Sequence, residues 1–216
     1  MTDVKRVNKR AEKAKQTRQR ILQAAQELFV QNGYGATNLQ DIADRAGVAV
    51  QTIYFVFSNK RTLLKELVDV TVAGDTEPVA TMDRPWFTDA LAAGTAQEML
   101  AAYVAGTGAV LARTGPVIRV VEAAVASDPD VAALWPRDVD QRHVVHRAAA
   151  ETLTGLPGMR ADLTVDEAAD LLYGLLSPEL YVLFTHRRGW AHQRWQHWAT
   201  QTLRTQLCSD EPRNHA

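Results

Sequence analysis

The sequence predicts an all-α protein: a small three-helix head joined by a linking helix to a larger helical body. Three observations carry this. Apolar residues recur at helical spacing along most of the 216 residues, and no stretch shows the strict alternation of a half-buried strand. Glycines, prolines and capping residues fall between the periodic segments. A hydrophobic share of 46% with 23% charged residues suits a packed core in a soluble chain.

Residues 1–14 show no apolar periodicity and read as a flexible basic arm. A helix starts at about Thr17, with Ile21, Leu22, Ala25, Leu28 and Phe29 on one face. Asn32-Gly33-Tyr34-Gly35 ends it, and Thr37 is placed to cap a short second helix that buries Leu39, Ile42, Ala43 and Ala46. Gly47 breaks that helix. A third runs from about Val50 to Phe57, and Ser58 is placed to cap a fourth, whose stripe of Leu63, Leu64, Leu67 and Val68 reaches Val72. The head is thus 15–72, followed by a connector at 73–95 that holds Pro78, Pro85, Trp86 and Phe87, the two aromatics implying that it packs down. The body spans 96–210, with helices expected at about 96–113, 116–127, 130–154, 165–176, 178–187 and 191–208. Asp128-Pro129 separates two of these, and Ser177-Pro178-Glu179 restarts another.

Residues 37–57 carry the chemistry. Two short helices joined at Gly47, with small Ala43 four residues before it, can cross closely as in a helix-turn-helix. In that motif the second helix enters the major groove. Here it presents Val50, Gln51, Thr52, Phe55 and Val56 outward. Gln51 can pair with an adenine edge and Thr52 can meet a phosphate or a thymine methyl. Phe55 either packs on a neighbour or touches thymine methyls and sugars, whereas Val56 reads as packed on a neighbour. Thr37, Tyr54 and Lys60 are candidate phosphate anchors, with Lys15 and Arg18 as basic flanks.

Charge supports this independently. The net charge of -1 hides 12 Lys and Arg against 5 Asp and Glu in residues 1–65, and 12 against 20 in the rest. Eight basic residues lie in the first 20: Lys5, Arg6, Lys9, Arg10, Lys13, Lys15, Arg18 and Arg20. A basic end on an acidic chain suits a polyanionic partner.

Leu28-Phe29, Asn32 to Thr37, Asp41-Ile42-Ala43, Ala46-Gly47-Val48, Thr52-Ile53-Tyr54, Phe57-Ser58-Asn59-Lys60 and Leu63-Leu64 together resemble the TetR family of transcriptional regulators, in unbroken order over residues 17–70. Asp83-Arg84-Pro85-Trp86-Phe87, Ser177-Pro178-Glu179-Leu180-Tyr181 and Arg188-Gly189-Trp190 are similar to the body of actinobacterial members. The resemblance implies a helix-turn-helix DNA-binding domain on an effector-binding and dimerisation domain. It also implies a homodimer, a palindromic duplex operator, and Thr37, Thr52, Tyr54 and Lys60 as DNA contacts. One departure is Ala49, where the family often has Ser; the change removes a cap and a phosphate contact from the third helix.

The resemblance also implies that the last two helices pair with their copies. Leu176, Leu180, Leu183 and Phe184, with Trp195, Trp198 and Leu203, offer apolar faces for such an isologous interface. A largely apolar effector would lie among helices 96–187, where Tyr103, Arg119, Glu122, His143, His146 and Tyr173 are candidate polar lining. His143 and His146 stand at i and i+3, but no Cys or carboxylate completes a ligand set, so no metal and no cofactor is expected. No phosphate-binding glycine loop, nucleophile elbow or zinc-protease motif is present, so catalysis is not expected. No apolar run reaches membrane-spanning length, the charged N-terminus is unlike a signal peptide, and Cys208 stands alone, which fits a reduced, cytoplasmic chain with no membrane partner. The expected function is a ligand-released repressor. An activator or ligand-independent regulator is the alternative, and a helical adaptor for another anionic partner is a more distant one.

Overall fold

The computed structural model describes residues 2–77, 79–134 and 140–209. Pro78 of the connector and the end of the body at 210 lie outside them, as do the side chains of Lys5, Arg6, Lys9 and Arg10. Among the described residues the regular structure is helical, apart from one isolated bridge between Met159 and Cys208. The chain divides into two compact units, Met1–Thr71 with Pro116–Pro136, and Val72–Gly115 with Arg137–Ala216.

The first unit holds α1 (Thr2–Asn32), α2 (Leu39–Ala46), α3 (Val50–Phe57) and nearly all of α4 (Lys60–Ala73). Its core is the expected one: Ile21, Leu22, Ala25, Leu28, Phe29, Ile42, Ala43, Ala46, Ile53, Phe57, Leu63, Leu64 and Leu67 are all buried. Val117, Val120, Ala124 and Val131 join that cluster, so residues 116–134 belong with the head rather than with the body.

Three boundaries differ from expectation. The helix begins at Thr2, not Thr17, because residues 2–16 are rich in Lys, Arg, Ala, Gln and Glu and hold no Gly or Pro; helix propensity needs no apolar face. The cap of α2 is Asn38, whose Oδ1 accepts from Asp41 N–H at 2.8 Å while the Asp41 carboxylate accepts from Asn38 N–H. Thr37 instead turns inward; it is 1% exposed and its hydroxyl faces the carbonyls of Gly33 (2.8 Å) and Leu28 (3.2 Å). The cap of α4 is Asn59, which accepts from Thr62 N–H at 2.9 Å. Ser58 ends α3 with φ of 63°, the one non-glycine positive φ among the described residues.

The second unit holds α5 (Pro85–Leu91) and the first two-thirds of α6 (Ala96–Ser127), whose remainder and α7 (Pro129–Ala132) belong to the first unit. It also holds α8 (Gln141–Leu153), α9 (Val165–Leu175), α10 (Pro178–Val182) with a π-helical turn over Leu183–Arg187, and α11 (His192–Leu207). The two helices expected at 96–113 and 116–127 are one: Pro116 is accommodated inside α6. The single helix expected at 130–154 is two, because Asp140 starts α8 afresh by accepting from Arg142 N–H. Ser177 caps α10 with Pro178 in its first turn, as expected.

The connector does pack down. Phe87 is 3% exposed, and the Trp86 and Phe87 rings each lie 6.0 Å from Tyr103. Glycines of α6 make room for aromatic rings. A Cβ at Gly106 would stand 2.2 Å from Trp86 Cε3, and one at Gly108 would stand 3.0 Å from Trp195 Cζ3.

Candidate functional site

The α2–α3 pair is positioned from both sides. Gly47 adopts the left-handed conformation (φ 65°, ψ 44°), and its N–H closes α2 onto Ala43 and Asp44 carbonyls. Ile53 and Phe57 are essentially buried beneath α3. Each residue advances a helix by about 100°, so the opposite face must point to water. That face is Gln51, Tyr54, Phe55 and Ser58, all exposed, with Tyr54 at 54% and Phe55 at 90%. Val50, Thr52 and Val56 are half-buried, and Val50 and Val56 pack against the core. Ala49 precedes the helix with no side-chain cap, so the first N–H groups of α3 lack the partner that a Ser there would supply.

The basic candidates divide. Lys15 is exposed. Arg18 pairs with Glu66 and lies over the Phe57 ring at 4.9 Å, fastening α1 to α4. The Lys60 ammonium donates to the Tyr34 carbonyl at 2.8 Å and the Thr37 carbonyl at 2.9 Å, and sits 4.2 Å from the Tyr34 ring centroid. Two of its three protons therefore hold the α1–α2 turn. With Thr37 inward and Lys60 engaged, the hydroxyl and ammonium singled out by sequence hold the head together. The exposed candidates are Lys15, Gln51, Tyr54 and Phe55.

Arg20, which the sequence reading placed only in the basic end of the chain, stands beside the exposed stripe's turn. Its guanidinium reaches within 3.9 Å of a Cβ built on Gly47, beside the turn between α2 and α3. It shares one polar face of α1 with Lys13, Gln16, Thr17 and Gln23. The available signal was its place directly before Ile21, which starts the apolar face.

In the second unit four of the six effector candidates come together. Tyr103 Oη and His146 Nδ1 lie 2.9 Å apart and share a hydrogen bond. The Tyr173 ring lies 6.1 Å from His146 and 5.9 Å from His143; its hydroxyl donates to the Asp140 carboxylate, and Arg142 covers its face at 4.3 Å. Burial lowers the His146 pKa from its usual 6.5 to about 4, with nearby Arg142 adding to the effect. Burial also raises the Tyr103 phenol above its usual range. Both groups are neutral at pH 7. Arg119 and Glu122 are exposed on the part of α6 that belongs to the first unit.

Of the interface candidates, Leu176, Trp195 and Leu203 are already buried within one chain, because α9 and α11 pack on each other. Leu180, Leu183, Phe184 and Trp198 keep exposed surface. Phe184 stacks on Trp190 at 4.3 Å and meets Trp198 at 4.7 Å, forming an aromatic cluster.

Comparison with known proteins agrees with this geometry. Residues 21–67 match the model of bacterial regulatory proteins of the tetR family. The chain is 41% identical over 63 residues to the HTH-type transcriptional regulator TtgR of Pseudomonas putida, a match covering 29% of this chain and 30% of TtgR. Two solved structures share the fold across most of the chain. A transcriptional regulator from Saccharomonospora viridis in complex with choline gives a TM-score of 0.66 at 21% identity, covering 89% of this chain and 98% of that one. NalD, the secondary repressor of the MexAB-OprM multidrug efflux pump in Pseudomonas aeruginosa, gives 0.62 at 17% identity, covering 92% and 100%. The match to the tetR family of bacterial regulatory proteins thus lies over residues 21–67, and the chain matches less than a third of the length of TtgR.

Proposed function

We propose that this protein is a sequence-specific DNA-binding transcriptional regulator: a homodimer that binds a palindromic operator and releases it when a small molecule binds the body. The observation that carries the reading is the stripe Gln51, Tyr54, Phe55 and Ser58, held outward by buried Ile53 and Phe57 next to the Gly47 turn. A helix fixed in this way offers an amide, a phenol and an apolar ring to base edges and phosphates. The basic excess of residues 1–65 supports a polyanionic partner.

The apolar surface left on Leu180, Leu183, Phe184 and Trp198 supports dimerisation. Two copies bring two α3 helices to half-sites that face one side of the duplex. The effector reading rests on the cluster of Tyr103, His143, His146 and Tyr173, hydrogen-bonding groups carried on flat rings. They suit a largely apolar ligand with one or two hydrogen-bonding groups. That the Saccharomonospora viridis regulator, which shares the fold, was solved in complex with choline supports a small-molecule effector here. Release follows if the ligand favours a dimer whose heads no longer match the half-site spacing.

The test is selection of bound sequences from random duplex DNA by the full-length protein. The expected product is an enriched palindrome bound by two chains. Enrichment of no sequence contradicts the reading.

A further inference from the structure

We propose that Phe55 is a specificity residue that reads thymine by its 5-methyl group in the major groove. The inference rests on α3 being the DNA-reading helix, and names what one of its side chains recognises.

Phe55 is 90% exposed, far more than any other large apolar side chain among the described residues; Tyr54 is next at 54%, and Val30, Val79, Met82, Val144 and Leu183 lie between 38% and 47%. The exposure is imposed by the helix and cannot be relieved by a small rotation. Ile53 and Phe57, two residues away on either side, are 0% and 1% exposed, which fixes Phe55 on the opposite face. The residue is also isolated. Its neighbours on that face, at i−4, i−1 and i+3, are Gln51, Tyr54 and Ser58, all with hydrogen-bonding groups. One phenyl ring set within a polar stripe does not make the continuous apolar patch that a protein partner needs.

The chemistry of the groove then selects the target. A phenyl ring has no donor or acceptor, so it cannot pair with N7, O6, N6, O4 or N4 positions. The one apolar group displayed on base edges there is the thymine methyl. Gln51 lies one turn earlier on the same face and is long enough to pair with an adenine edge. Together, Gln51 and Phe55 describe an A·T-rich half-site read by an amide and a ring.

The experiment uses full-length protein and the duplex enriched by the selection above, with each thymine replaced in turn by 2′-deoxyuridine, which lacks only the methyl. Wild-type affinity is expected to fall about four-fold at one or two thymines per half-site, the effect of unburying one methyl group. Phe55→Ala is expected to keep its fold, as read by circular dichroism and thermal unfolding, to bind the unmodified duplex more weakly, and to lose the methyl dependence at those thymines. Tight wild-type binding that is indifferent to every methyl overturns the inference, and so does an unchanged methyl dependence in Phe55→Ala. Failure of the wild type to bind any duplex overturns the DNA-binding reading itself, and this inference with it.

Discussion

At the scale of single residues, side chains of the same apparent type take different tasks. Lys60 reads in sequence as a phosphate anchor, yet its ammonium is held by two carbonyls and an aromatic face. Lys60→Met should therefore destabilise the protein by about 1–3 kcal/mol in chemical denaturation, because two carbonyls lose a charged donor. A variant of unchanged stability with a salt dependence of DNA binding reduced by about one charge would instead identify Lys60 as a phosphate contact. Gly106 shows the opposite lesson. In a helix, Gly→Ala usually stabilises by about 1 kcal/mol. Here the added methyl meets the Trp86 ring at 2.2 Å, and Gly106→Ala should lower stability by about 1–3 kcal/mol through overpacking. Thermal unfolding distinguishes the two signs.

At the scale of elements, the order of helices in the head was legible because each carries a periodic apolar face and ends at Gly33, Gly47 or Ser58. Their caps were not. Thr37 and Asn38 are adjacent and both are good caps, and what separates them is that the Thr37 hydroxyl finds the Leu28 and Gly33 carbonyls, which only the folded turn supplies. Ser58 and Asn59 pose the same choice, settled by the positive φ at Ser58. The continuity of α6 through Pro116 was hidden because a proline in sequence reads as a break, while buried Val117, Val120 and Ala124 hold the following turns in place. Ala49 was legible from the start: the missing hydroxyl is a missing cap. Ala49→Ser should stabilise the protein by about 1 kcal/mol and strengthen DNA binding through an added phosphate contact. Urea denaturation and duplex titration measure the two effects separately.

For the whole molecule, the candidate sites were legible unequally. The exposed face of α3 follows from helical geometry once Ile53 and Phe57 are known to be buried. The body cluster depends on which long-range pairs form, and Tyr103 and His146, 43 residues apart, meet only after α6 and α8 pack. For the same reason Trp195 and Leu203 looked available to a partner but lie in the core of a single chain. Burial of His146 gives global stability a pH dependence. The unfolded chain takes up a proton near pH 6.5 and the folded chain only near 4, so the unfolded state binds more protons between those values. Stability intact above pH 6.5 should decline by about 3 kcal/mol as the pH falls to 4. His146→Phe should flatten that part of the profile, and denaturation across pH 4–8 compares the two chains.

The proposed regulator stands on α3 reading bases through its outward stripe. The most direct measurement is the affinity of wild type and Gln51→Ala for the selected operator and for each of its single base-pair variants. If Gln51 pairs with a base edge, the variant loses about 1–3 kcal/mol of discrimination at one base pair in each half-site and keeps its preferences elsewhere. An equal loss at every sequence, with all base preferences intact, would contradict base reading by this helix.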